Sequence, residues 1–113
     1  MVGPLAFHPS TLRRAVLNVV QNAIEAMPNG GTLRLACVHT ATAVQLHRRD
    51  SGVGIPAALV SRIFEPLYTT KPGGTGLGLY IVREILVAHG GGVTVDSVEG
   101  QGTTFVLTFP VPG

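Results

Sequence analysis

Tryptophan is absent, cysteine occurs once, and charged and aromatic residues make up only 12% and 5% of the 113 residues. A single thiol, Cys37, makes no intramolecular disulfide and supplies no cysteine-rich zinc site, and its apolar, strand-like surroundings predict a buried, reduced side chain. No run approaches the roughly 18 continuous apolar residues of a membrane span, and Met1 to Phe7 lacks the basic start and apolar core of a secretory signal. No membrane contact by this segment is expected. Eight basic residues against six acidic ones leave a net charge of +2, without the basic tail that grips nucleic acid. His8, His39, His47 and His89 lack metal-ligand spacing, and no Ser-His-Asp set points to acyl transfer.

What is present is a 45% hydrophobic chain with 15 glycines, of the size of one domain spanning 1–113. Pro9 opens a helical pattern in which Leu12, Val16, Val19, Ala23 and Met27 recur on one face, ended by Pro28 and the turn Asn29-Gly30-Gly31. Leu33, Leu35 and Cys37 alternate with Arg34, Ala36 and Val38 as a strand, with Val44 to Arg49 as its hairpin partner. A short helix is expected over 56–64 and a loop over 65–78. Leu79, Val82, Ile85, Leu86 and His89 then mark a second helix, stopped by Gly90 to Gly92. Two alternating segments, 92–98 and 103–111, flank the turn Glu99-Gly100-Gln101-Gly102. This order, without strict strand-helix-strand alternation, predicts an α+β fold: a two-layer sandwich of a mixed, mostly antiparallel sheet with helices on one face.

Three features exceed what a stable fold requires. Asn18 and Asn22 lie four apart and project from the same side of the first helix, bordering its apolar stripe. They are either solvated polar positions or amide oxygens that hold a metal ion and its phosphates, since Mg²⁺ prefers hard oxygen ligands. Asp50 ends a strand and opens Asp50-Ser-Gly-Val-Gly-Ile55. A plain turn accounts for the residue types, but Asp50 keeps the parity of Val44 and Leu46 and so faces the covered side, where a carboxylate needs a donor such as an exocyclic amine. Gly52 and Gly54 permit close approach of a flat ligand.

The third feature is Tyr68-Thr-Thr-Lys71-Pro-Gly-Gly-Thr-Gly-Leu-Gly78-Leu79, glycine-dense and running directly into a helix. Backbone amides there, with the positive helix end and the mobile charge of Lys71, suit phosphate. It is not a P-loop, whose lysine follows the last glycine, nor a dinucleotide fingerprint, which needs GxGxxG after a strand.

In order, these segments resemble the catalytic ATP-binding domain of bacterial sensor histidine kinases, in the superfamily shared with gyrase, heat-shock chaperone ATPases and MutL repair proteins. Asn18-Val-Val-Gln-Asn22 looks like the asparagine box, Asp50-Ser-Gly-Val-Gly54 the first glycine box, and Ile63-Phe-Glu-Pro66 the phenylalanine box. Gly74-Thr-Gly-Leu-Gly78 looks like the second glycine box and Gly100-Gln-Gly-Thr-Thr-Phe105 the last. The Thr-Thr-Lys-Pro-Gly-Gly lid is most similar to the nitrogen-regulation branch.

The resemblance implies a Bergerat-type fold, ATP and Mg²⁺ as cofactors, and a protein-histidine kinase activity. By it, Asp50 accepts the adenine amine, Asn22 ligates Mg²⁺, and Asn18 and Lys71 engage phosphates. Gly52, Gly54, Ile55, Phe64, Gly74, Thr75, Gly76, Leu77, Gly78 and Thr103 line the nucleotide. The hydrolysing relatives carry a glutamate where Asn18 stands, and an amide takes no proton at neutral pH, which favours phosphoryl transfer over hydrolysis. The acceptor implied is a histidine on a separate dimerisation domain, which passes phosphate to a response regulator; a serine kinase of the anti-sigma type and a nucleotide-binding module without transfer are the alternatives. A monomeric, cytoplasmic domain, the C-terminal piece of a longer kinase, is expected. One departure stands out. Arg48 occupies a place where the family usually has an inward apolar residue, and an unpaired buried guanidinium costs on the order of several kcal/mol, so the strand must bend or Arg48 must find an anion.

Overall fold

The computed structural model describes residues 9–66 and 78–110. Helix α1 (Pro9–Glu25) leads to strands β1 (Leu33–His39) and β2 (Ala43–Asp50) and a 3-10 helix (Ala57–Arg62). Helix α2 (Gly78–Ala88) and strands β3 (Gly92–Val98) and β4 (Gly102–Pro110) follow. The strands form one sheet in the order β1-β2-β4-β3, and every described pairing is antiparallel. The α+β arrangement, with α1 and α2 packed on each other and on the sheet, is the one expected.

The register explains where the core sits. Leu33, Asp50, Thr103 and Ser97 lie abreast across the four strands, and the next rows on that face are Leu35-Arg48-Phe105-Val95 and Cys37-Leu46-Leu107-Val93. Because side chains alternate along a strand, all three rows share one face. Against it pack the α1 residues Ala15, Val19 and Ala23 and the α2 residues Val82, Ile85 and Leu86, with Phe105 and Leu107 wholly buried beneath them. Each such large apolar side chain contributes roughly 1.5–3 kcal/mol on burial. The expected α2 stripe is therefore the observed one, and His89 completes it: its Nδ1–H donates to the Ile85 carbonyl at 2.7 Å.

One expectation fails here. Cys37 is exposed, and so is Leu35 of the same strand face. Alternation correctly aims both at the helical side, but β1 is the edge strand that the helices leave largely exposed; they pack on β2, β4 and the other edge strand, β3. Parity fixes which face a residue lies on and says nothing about how far the covering layer extends.

Candidate functional site

Asp50, at the end of β2, is 3% exposed, and Thr103, its neighbour across β4, is 5% exposed, as strand parity requires. The Asp50 carboxylate has two partners. Oδ1 accepts the Gly52 amide at 2.8 Å, closing a tight turn after the strand. A side chain at Gly52 would place its Cβ 2.5 Å from the Ala26 carbonyl oxygen and 2.9 Å from Asp50 Oδ1, so the turn closes only around glycine. Gly54, at φ +72°, lies against the Val98 carbonyl and carries the chain into the Ile55 segment. The turn is further tied by Val53 N–H to Ala26 O at 3.1 Å, beyond α1, and by Gly100 N–H to Val53 O at 2.7 Å.

Ser97 was not singled out from the sequence, yet it holds this corner together. Its Oγ accepts the Ile55 amide at 2.8 Å, donates to the Gly102 carbonyl at 3.1 Å and lies 2.8 Å from Thr103 Oγ1. With the serine proton spent on Gly102, the Thr103 hydroxyl donates to Ser97. The available signal was a hydroxyl where the inward row Val93-Val95 predicts a third apolar residue.

The second partner of Asp50 is Arg48. Its side chain is wholly buried, and its Nη2 donates to Asp50 Oδ2 in an ion pair from which both side chains exclude solvent. Nη2 also donates to the Thr103 carbonyl at 3.2 Å, while Nη1 donates to the Val19 carbonyl at 3.0 Å and reaches Asn22 Oδ1 at 3.4 Å. The guanidinium stands 4.5 Å from the centroid of the Phe105 ring, a cation–π contact, and Phe64 meets the same ring edge-on at 6.0 Å. Burial lowers Arg48 from its ordinary basicity and the Asp50 charge opposes this; the group remains cationic at neutral pH. Nε finds no acceptor among the described residues, at a cost of about 1–3 kcal/mol. Thus Arg48 finds its anion without a bend in β2, and the anion is the carboxylate assigned to adenine.

Asn18 and Asn22 are half-buried on one side of α1, and the Asn18 amide approaches the Gly78 carbonyl at 3.5 Å, where α2 begins. Asn22, Asp50, Gly52, Thr103, Gly54 and Ile55 are thereby brought to one corner between α1 and the ends of β2 and β4. Phe64 packs on the core beside it. Lys71, Gly74, Thr75, Gly76 and Leu77 lie outside the described residues. A shallow cleft of ≈ 360 Å³, lined by Thr32, Arg34, Arg49, Asp50, Ser51 and Gln101, opens beside Asp50 but touches neither asparagine nor Thr103.

Residues 7–113 match the family of histidine kinase-, DNA gyrase B-, and HSP90-like ATPases. The chain belongs to this family. Sporulation kinase E of Bacillus subtilis is 38% identical over 111 residues, covering 97% of this chain and 15% of that protein. Sensor histidine kinase ZraS of Escherichia coli K12 is 42% identical over 103 residues, covering 91% of this chain and 22% of that protein. The chain therefore spans less than a quarter of these curated relatives. Among solved structures, the mycobacterial sensor histidine kinase MprB superposes with a TM-score of 0.83 at 34% identity, covering 95% of this chain and 75% of that one. A nucleotide-free catalytic domain of histidine kinase ThkA gives 0.82 at 36% identity, covering 93% and 71%. This histidine-kinase ATPase domain is thus of the sensor-kinase catalytic type, and these relatives do not place it in the nitrogen-regulation branch.

The described residues supply oxygen acceptors of the types ATP and Mg²⁺ use, an amide oxygen at Asn22 and a carboxylate at Asp50, and both engage the Arg48 guanidinium in this structure. Among the described residues no cluster of three or more His, Cys, Asp or Glu could hold a metal ion. No described helix is long and apolar enough to cross a membrane.

Proposed function

We propose that this domain binds ATP with Mg²⁺ and donates the γ-phosphoryl group to a histidine on a separate dimerisation domain of a two-component kinase. The observation that carries this reading is the buried Asp50 carboxylate, oriented by Gly52 and set abreast of Thr103 in the corner that also presents Asn22. Asp50 takes the adenine amine, Asn22 takes the metal, and Asn18 with Lys71 and the loop from Gly74 to Gly78 takes the phosphates. Bound Mg²⁺ supplies charge neutralisation across the phosphates.

The chain's own groups bind and orient. An asparagine at position 18 accepts no proton from water, so water is not activated from that place, and the chemistry favoured is attack by an imidazole nucleophile. The phosphohistidine then serves a response-regulator aspartate, in the cytoplasm. Titration of the chain with the non-hydrolysable analogue AMP-PNP, with and without Mg²⁺, tests the first half: saturable binding strengthened by Mg²⁺ is expected, and no binding at millimolar nucleotide refutes it. Incubation with ATP and a histidine-bearing dimerisation domain tests the second, with acid-labile phosphate expected on histidine; acid-stable phosphoserine would point instead to the anti-sigma type.

A second reading, a nucleotide-binding module without transfer, is favoured by one feature only, the hold of Arg48 on Asp50. Binding without phosphate transfer to any histidine would support it.

A further inference from the structure

Arg48 makes two contacts that matter together. One guanidinium, wholly buried, donates to Asp50 Oδ2 through Nη2 and reaches Asn22 Oδ1 through Nη1 at 3.4 Å. Those are the two oxygens assigned above to the adenine amine and to the metal, one on the sheet and the other on α1.

We propose that Arg48 sets the nucleotide affinity of this site: its guanidinium competes with the adenine amine for Asp50 and with Mg²⁺ for Asn22, so that nucleotide and metal enter only as it lets go of both. This rests on the nucleotide reading of the site and deepens it. Three physical points support it. A carboxylate already neutralised by an ion pair is a weaker acceptor for a neutral amine than a free one, because hydrogen bonds to an unpaired charge are roughly twice as strong. A fixed cation beside Asn22 Oδ1 repels a divalent ion that would use the same oxygen, and within a buried site that repulsion is poorly screened. Release does not require ejecting Arg48 from the core. The Val19 and Thr103 carbonyls, at 3.0 and 3.2 Å, and the Phe105 ring retain the guanidinium while it gives up the other two partners.

The inference couples the two ends of the ligand. Adenine docking on Asp50 frees Nη2, and loss of that anchor loosens Nη1 from Asn22, so the metal position opens as the base is recognised. Arg48 is in this sense a positioning residue that acts through Asp50 and Asn22.

The test is titration of the wild-type chain and of Arg48→Met with AMP-PNP, with and without Mg²⁺, each variant's fold being checked by circular dichroism. Methionine fills much of the arginine stem and carries no charge, so the substitution frees Asp50 Oδ2 and Asn22 Oδ1 with little change in core volume. Tighter binding by about tenfold with Mg²⁺ is expected in Arg48→Met, the difference between a charge-assisted and an ordinary hydrogen bond. A folded variant that binds with unchanged or lower affinity than a binding-competent wild type overturns the inference and leaves the nucleotide reading standing. If neither protein binds, the nucleotide reading fails and this inference with it. Should Arg48→Met not fold, the wild-type chain decides the matter by nuclear magnetic resonance of the Arg48 guanidinium. Its protons should exchange faster with solvent and shift on saturation with AMP-PNP and Mg²⁺. Signals unchanged at saturation overturn the proposal.

Discussion

Asp50→Asn is the substitution that would ordinarily be chosen to abolish adenine binding in a domain of this kind, and from sequence alone it should spare the fold. The structure predicts otherwise. Asp50 and Arg48 have no solvent exposure at their side chains, so removal of the carboxylate charge leaves a guanidinium buried without a counter-ion. The amide cannot satisfy both sides of its site. If its oxygen keeps the Gly52 amide, its NH₂ group faces the donor Arg48 Nη2; if it flips, the NH₂ group faces the Gly52 N–H instead. Breaking a buried ion pair from one side costs about 3–5 kcal/mol, and at about 4 °C or more per kcal/mol the midpoint should fall by at least ~12 °C. With no tryptophan in the chain, far-ultraviolet circular dichroism under heat and urea is the suitable assay. The double variant Arg48→Met with Asp50→Asn should recover about half the loss or more, since the orphaned charge is gone. A single Asp50→Asn variant melting within ~3 °C of wild type would refute the buried pair as an energetic unit.

Three further outcomes follow from the same corner. Gly52→Ala forces a Cβ against the Ala26 carbonyl and should destabilise the domain by about 1–3 kcal/mol in urea unfolding. Ser97→Ala leaves the Ile55 amide without its acceptor, which should cost about 1–3 kcal/mol and accelerate hydrogen exchange at Ile55 well beyond that at amides of α2. Asn22→Ala should remove the Mg²⁺ dependence of AMP-PNP binding, to within about twofold by calorimetry, while changing stability by less than ~1 kcal/mol because its bond to Arg48 is long.

Much of this site was legible before any coordinates. Asp50 and Thr103 are placed by strand parity alone, and the structure buries both. Asn18 and Asn22 are placed by helical spacing, and both lie on the side of α1 that borders the core. The two helices and two hairpins lie within a few residues of their expected limits, α1 ending at Glu25 rather than Met27. Ser97 was missed because one hydroxyl among valines carries no motif; its importance comes from three partners, on the turn after β2 and on β4. Cys37 was misjudged because burial on an outer strand depends on the reach of the layer above it.

By itself the sequence determined the periodicities, the turn chemistry and the order of polar boxes, because these depend on residues close together along the chain. That was enough for the fold class, the family and which face the described candidates on α1, β2 and β4 occupy. Only the tertiary structure decided what Arg48 does. A strand pattern says that an arginine at that position points inward. It does not say that a guanidinium two residues from Asp50 turns back to it, reaches an asparagine 26 positions away on α1 and lies over Phe105. Those partners meet because the β2–β4 register sets Arg48 beside Phe105 and Asp50 beside Thr103 while α1 closes over both rows. The electrostatics of this corner are therefore a property of packing, settled where elements distant in sequence come together.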